Sequence, residues 1–253
     1  MKVWLYDAMG GSRPKKETMA NTTGAIFVVV LSAAFIMVSP HESVAGQKGY
    51  IEDAASKSAE KTSSLPEILL IGDSIREGYC KYVAEALRGR ADVKWPNENC
   101  RNSQYILTSL AKWRGLVATP KVVHFNCGHW DAAHWDGDDD ALTTVEEYGR
   151  NVRKIIRRIR RYWPDAKIVF ATTTPMNPSG KQLRNPRTTE SIIRYNTEAV
   201  KVAQSEGVEV CDYFAVVEKW PASDYADYAH LTRTAAKRLG EIVARRLAVV
   251  AGL

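Results

Sequence analysis

Cysteine is scarce, and the four present, Cys80, Cys100, Cys127 and Cys211, include no Cys-x-x-C pair, the spacing on which compact metal and dithiol redox sites are built. Their even number leaves two readings open: two disulfides in an exported chain, or free thiols in a core. Long apolar runs are missing as well. The longest, Gly24 to Val38, falls short of the about 20 residues that a membrane-crossing helix needs. No internal repeat and no low-complexity tract occurs, which argues against solenoid or collagen-like architectures. What is present, 45% hydrophobic and 25% charged residues in a chain of 253, suffices for one substantial core.

The short apolar run has a specific setting. Arg13, Lys15 and Lys16 precede it, and Ser43-Val44-Ala45 follow it. Basic flank, apolar stretch and small residues together read as an export signal over residues 1–45, cut after Ala45, with an uncleaved membrane anchor as the alternative. Either reading places the rest of the chain outside the cytoplasm, secreted or periplasmic. Residues 46–64 are polar and rich in small side chains and read as a linker, so the predicted domain occupies 65–253. The formal net charge of +6 is compatible with an anionic partner without specifying one.

Beyond Pro66, short aliphatic runs recur at Ile68 to Ile71, Val93 to Trp95, Val122 to Phe125, Ile168 to Ala171 and Val208 to Cys211. Each is too short for a helix and is bounded by turn residues, so each predicts a strand. Between them apolar residues recur at helical spacing, as in Tyr79, Val83, Ala86 and Leu87, or Val152, Ile155, Ile156 and Ile159. A last helix follows His230. Strands alternating with helices imply an α/β fold of three layers, a doubly wound, five-stranded parallel sheet covered on both faces. Ligands of such sheets bind beyond the carboxyl ends of the strands, which directs attention to Gly72-Asp73-Ser74, Asn99 to Asn102, Asn126-Cys127-Gly128 and Thr172 to Pro175.

A serine at a helix start has free backbone N–H groups beside it and feels the positive end of the helix dipole. Its hydroxyl needs a base to become a nucleophile, and a histidine oriented by a carboxylate is the usual solution. Asp227-x-x-His230 supplies both from one segment. The order of these blocks resembles that of the SGNH hydrolases, or GDSL esterases and lipases, from about Leu65 to Val250. The resemblance implies a flavodoxin-like fold and a role for Ser74 as nucleophile, His230 as general base then acid, and Asp227 as its orienting carboxylate. It also implies an oxyanion hole made of the Ser74 N–H, an N–H from the second block and a donor from the third.

Two blocks depart from the family pattern. Where the second usually has glycine, this chain has Cys100-Arg101-Asn102, so the N–H is expected from Arg101 or Asn102. The third, usually Gly-x-Asn-Asp, reads Gly128-His129-Trp130-Asp131. Asn126, at the strand's end, is the expected replacement for the missing asparagine, with Gly128 beside it, in preference to Trp130, which donates only from its indole nitrogen. His129, Trp130 and Trp135 are expected to line the substrate mouth. Asp73 is expected to accept loop N–H groups, and Asn196 to make a packing contact.

The expected activity is hydrolysis of a small acyl ester, most simply acetyl, of a carbohydrate or similar substrate, with no metal or cofactor. The rival readings are an O-acyltransferase that keeps the same triad and a non-catalytic binding protein on the same scaffold. His124, His129 and His134 recur at five-residue intervals, which suit neither a strand face nor a helix face and so do not suggest a metal site. The basic run Arg150 to Arg161 keeps its apolar residues at helical spacing and predicts an amphipathic helix with a solvated charged face. No nucleic-acid motif is present.

Overall fold

The computed structural model describes residues 64–180 and 185–253. The expected export signal or anchor and nearly all of the linker lie outside the described residues. Five parallel strands, β1 (Glu67–Ile71), β2 (Asp92–Lys94), β3 (Val122–Asn126), β4 (Lys167–Ala171) and β5 (Glu209–Cys211), form one sheet in the order β2-β1-β3-β4-β5. The aliphatic runs mark all five to within about a residue at each end. After β2 the chain returns past β1 to form β3, so the topological switch point, where open α/β sheets place their ligands, lies between β1 and β3.

Alternation along the strands decides which layer each side chain meets. Leu69, Ile71, Val123 and Phe125 pack with α2 (Ser103–Trp113), α3 (Val145–Tyr162) and α4 (Thr189–Ser205). Ile68, Leu70 and Val122 face the other way, towards α1 (Ser74–Ala86), the short α5 (Tyr213–Val217) and α6 (Arg233–Ala251). Both faces are therefore dry, as an all-parallel sheet requires. The four cysteines are free thiols and all are buried. The sheet divides them, Cys100 and Cys127 on one face and Cys80 and Cys211 on the other. They serve as small apolar core residues, so the disulfide reading gives way to the free-thiol one.

Each long helix begins on a side-chain cap. Asp73, Asn102, Thr144, Thr188 and Thr232 cap α1, α2, α3, α4 and α6 respectively, each satisfying an N–H that has no partner inside its helix. In α3 the basic residues do more than face water: Arg153, Arg157 and Arg160 converge on Glu206 at the end of α4. The charged face is solvated as expected, and these three arginines pair with Glu206 as well. The run closes the α3–α4 layer with a charge network.

Candidate active site

Gly72 carries the chain out of β1 under a steric constraint. A Cβ at this position would lie 2.0 Å from Asn126 Oδ1 and 2.8 Å from Arg76 Cβ, so only glycine fits. Asp73 then caps α1 through the Ile75 N–H, 3.0 Å away. Its Oδ1 also accepts from Asn126 Nδ2 at 2.9 Å, while Oδ2 is buried and has no partner among the described residues. Burial raises the Asp73 pKa, offset in part by Asn126, the Ile75 N–H and the more distant charges of Arg187 and Arg76. Ser74 opens the helix.

The other half of the site comes from just before α6. His230 Nε2 stands 2.7 Å from Ser74 Oγ, across 156 residues of sequence, and His230 Nδ1 stands 2.7 Å from Asp227 Oδ2. With Nδ1–H donating to the carboxylate, Nε2 is left as acceptor for the serine hydroxyl. Asp227 Oδ1 takes the N–H groups of Ala229 and His230 at 2.8 and 2.7 Å. Burial pushes the Asp227 pKa up, but these backbone donors and the imidazole outweigh it, and the net shift is downward. The β4–α4 loop holds the segment in place. Asn177 N–H donates to Tyr228 O at 2.8 Å and Asn177 Nδ2 to Asp227 O at 3.0 Å. A base aimed at the serine and held by a carboxylate can take the hydroxyl proton as the oxygen attacks a carbonyl.

Of the expected oxyanion donors, Arg101 and Asn126 are already engaged. The Arg101 N–H is already donated to Asn99 Oδ1 at 2.8 Å, in a turn that holds Arg101 at φ +52°, the left-handed region where glycine is at ease. The Asn126 amide is drawn inward to Asp73, because strand alternation puts Asn126 on the α1 side of the sheet. Gly128, at φ +140°, lies so close to Thr173 that a Cβ would sit 2.3 Å from its hydroxyl. The N–H groups of Ser74, Asn102 and Gly128 meet no acceptor among the described residues. Those of Ser74 and Asn102 stand at the heads of α1 and α2, where the helix dipole adds to their pull on negative charge.

A buried clamp sets the second of these loops. Arg76, on α1, donates to the carbonyls of Gly72, Pro96 and Glu98, while Cys100 N–H donates to Gly72 O at 3.1 Å. The Glu98 carboxylate accepts from Lys112 Nζ, Trp113 Nε1 and Tyr105 OH, each at 2.7 Å. The hydrogen bond from Lys112, then those from Trp113 and Tyr105, hold its pKa down to about 2. A depressed carboxylate contributes stability above its unfolded pKa and loses it as pH falls through the folded one. Between about pH 4.5 and pH 2 the protein therefore loses this contribution. Urea unfolding at pH 7 and pH 3 should show a smaller acid-induced drop for Glu98→Gln than for the unsubstituted protein; an equal drop would exclude Glu98 as a source of acid sensitivity.

Residues 70–238 match the profile of the GDSL-like lipase/acylhydrolase family. The chain belongs to that family. It is thus an SGNH hydrolase, an enzyme of ester bonds. A GDSL esterase/lipase of Arabidopsis thaliana is 28% identical over 192 residues, 66% of this chain and 79% of that one. An isoamyl acetate-hydrolyzing esterase 1 homolog of Bos taurus is 23% identical over 180 residues, 64% of this chain and 72% of that one. Among solved structures, a carbohydrate acetylesterase of Sinorhizobium meliloti superposes with a TM-score of 0.56 at 16% identity, covering 73% of this chain and 99% of its own. An acetyl xylan esterase does so at 0.57 and 14%, covering 72% and 99%. At such identities the structural likeness shows the shared fold.

In this SGNH hydrolase the residues after β3 take separate paths. Trp130 and Trp135 pack against each other with centroids 5.0 Å apart and stay partly exposed. His129, expected beside them at the mouth, is 1% exposed. It turns inward to Thr174 Oγ1 at 3.1 Å, while its Nδ1 accepts from Arg187 Nε at 3.3 Å. Asp131 secures the start of α2, accepting from the N–H and the hydroxyl of Ser103, and burial pushes its pKa up to about 6. Asn196 grips Thr173 through both its N–H and its carbonyl, fixing the exit of β4. His124 lies in the core 3.3 Å from Tyr213 OH, its pKa lowered by burial to about 3. Among the described residues no group of three His, Cys, Asp or Glu is placed to hold a metal.

Sequence reasoning missed Arg187 and Tyr228. Arg187 is one of 35 basic residues, and no local pattern sets it apart. Tyr228 lies inside the Asp227-x-x-His230 motif, and that position was its available signal.

Proposed function

We propose that the protein is a serine esterase that removes a small acyl group, acetyl in the first instance, from a carbohydrate or similar hydroxylated substrate through an acyl-enzyme. The observation that carries this reading is the continuous hydrogen-bonded line from Asp227 through His230 to Ser74, at the switch point of the sheet. Ser74 Oγ adds to the ester carbonyl as His230 Nε2 takes its proton. The negative charge that develops on the carbonyl oxygen meets the N–H groups of Ser74 and Asn102. Collapse breaks the bond to the alcohol, which leaves with the proton held by His230. Water then attacks the acyl-enzyme with His230 again as base, and the acid departs with Ser74 restored. The acetyl preference rests on the Sinorhizobium carbohydrate acetylesterase and the acetyl xylan esterase, which share this fold.

Rapid quenching of the protein with excess 4-nitrophenyl acetate should give a burst of nitrophenol and one added acetyl group, located by mass spectrometry on the peptide containing Ser74. Turnover without an adduct on Ser74, and without labelling of Ser74 by a fluorophosphonate, would remove the acyl-enzyme from the mechanism.

A further inference from the structure

Two arginines are buried around the site, and they are satisfied to different degrees. Arg76 is 1% exposed and ends among three backbone carbonyls and the Cys100 sulfur. Its role is therefore structural. Arg187 is 6% exposed, yet its partners are few. Nε donates to the neutral ring nitrogen of His129 at 3.3 Å, Nη1 donates to Asn185 O at 3.1 Å, and the guanidinium carbon lies 5.1 Å from the centroid of the Tyr228 ring. Among the described residues, no carboxylate lies within ion-pairing distance of Arg187 and Nη2 meets no acceptor.

Holding a guanidinium in this state is unfavourable. A buried cation needs a counter-charge and a full set of acceptors to offset lost hydration, and a single π face compensates only in part. The rest of the setting holds the group in place. His129 is locked by Thr174 on its far side, and burial, followed by the charges of Arg187 and His230, keeps its imidazole neutral and able to accept. Tyr228, whose ring Arg187 covers, meets the His230 ring edge-on with centroids 6.4 Å apart. The cation thus stands one aromatic ring away from the proposed base, and its field reaches Asp73 beside the nucleophile. It is oriented, one aromatic ring from the proposed base, and no anion faces it among the described residues.

We propose that Arg187 is a carboxylate-recognition subsite, and that the esters this enzyme prefers carry a carboxylate near the scissile bond. This deepens the esterase reading, on which it rests, by naming a substrate class: the carboxylate belongs either to an acidic sugar on the alcohol side or to a dicarboxylic acyl group. Arginine suits the task because its planar fork pairs with a carboxylate through two parallel hydrogen bonds. The chain's formal charge of +6 favours the approach of such a substrate.

Binding and turnover test the subsite separately. Calorimetry on the folded protein should show methyl glucuronoside or succinate binding at least about tenfold more tightly than methyl glucoside, as a charge-assisted pair provides. Arg187→Gln should erase that margin, and Arg187→Lys should retain part of it. In kinetics, acetylated methyl glucuronoside is compared with acetylated methyl glucoside, and 4-nitrophenyl hemisuccinate with 4-nitrophenyl butyrate. The charged-to-neutral ratio of kcat/KM should exceed one in at least one pair, identify the side that carries the carboxylate, and fall about tenfold in Arg187→Gln through KM. Thermal unfolding of both variants verifies the fold; should Arg187→Gln not fold, loss of the margin in 0.5 M sodium chloride replaces it. Equal binding of charged and neutral ligands, or a margin unchanged by the substitution and by salt, overturns the subsite whatever the turnover. Selective binding without any ester hydrolysis would instead leave the subsite standing and overturn the esterase reading.

Discussion

Ser74→Ala is expected to lower kcat/KM for 4-nitrophenyl acetate by roughly four orders of magnitude, and adding His230→Ala to it to lower the rate hardly further. In the proposed mechanism the two side chains act as one unit. His230 has a proton to take only if Ser74 supplies it, and the Ser74 hydroxyl is a weak nucleophile without His230, so the two losses do not add. The 2.7 Å contact between Ser74 Oγ and His230 Nε2 is what makes them a unit. Some rate acceleration survives, because the free N–H groups of residue 74 and Asn102 belong to the backbone and persist in the alanine variant. Steady-state kinetics on the two single variants and the double variant, with far-UV circular dichroism to verify folding, checks this. If the two losses multiplied, Ser74 and His230 would be acting in separate steps.

Much of this arrangement is legible in the amino-acid sequence. The strands announce themselves because a parallel sheet buried on both faces needs unbroken aliphatic runs, and Ile68 to Ile71 or Val122 to Phe125 can hardly be anything else. The Ser74 and Asp-x-x-His pairing was legible because block order along the chain maps onto one edge of the sheet. Which of the candidate oxyanion donors stay free was not. Asn126 sits at the correct edge, but whether its amide points out to substrate or in beneath α1 depends on strand parity. Counting from Val122 through His124 would have placed it on the α1 side. Arg101 was expected from its place in the second block, and nothing in its own identity reveals that the Asn99 side chain takes its N–H. His129 turns inward because it meets Arg187, a residue 58 positions further on, and local pattern says nothing about such a contact.

Gly72→Ala is expected to cost both stability and activity, because the added methyl group enters the joint between β1, β3 and the nucleophile loop. Its Cβ would fall 2.0 Å from Asn126 Oδ1 and 2.8 Å from both Asn126 Cγ and Arg76 Cβ. Neither neighbour is free to give way. Asn126 is held by Asp73, and Arg76 by three carbonyls on two loops. Overpacking of this kind costs about 1–3 kcal/mol, and the strain is relieved by moving the segment that carries Ser74. A shift of about 1 Å in a reacting group can cost on the order of a hundredfold in rate, so activity should fall further than stability alone explains. Asn126→Ala in the same chain opens the space but withdraws a donor from Asp73, whose Oδ2 is already unpartnered. The double variant should therefore recover part of the lost stability and little of the activity. Chemical unfolding and kcat/KM measured on Gly72→Ala, Asn126→Ala and the pair decide the matter: a fully active Gly72→Ala protein would mean that the β1 exit can move without disturbing the nucleophile.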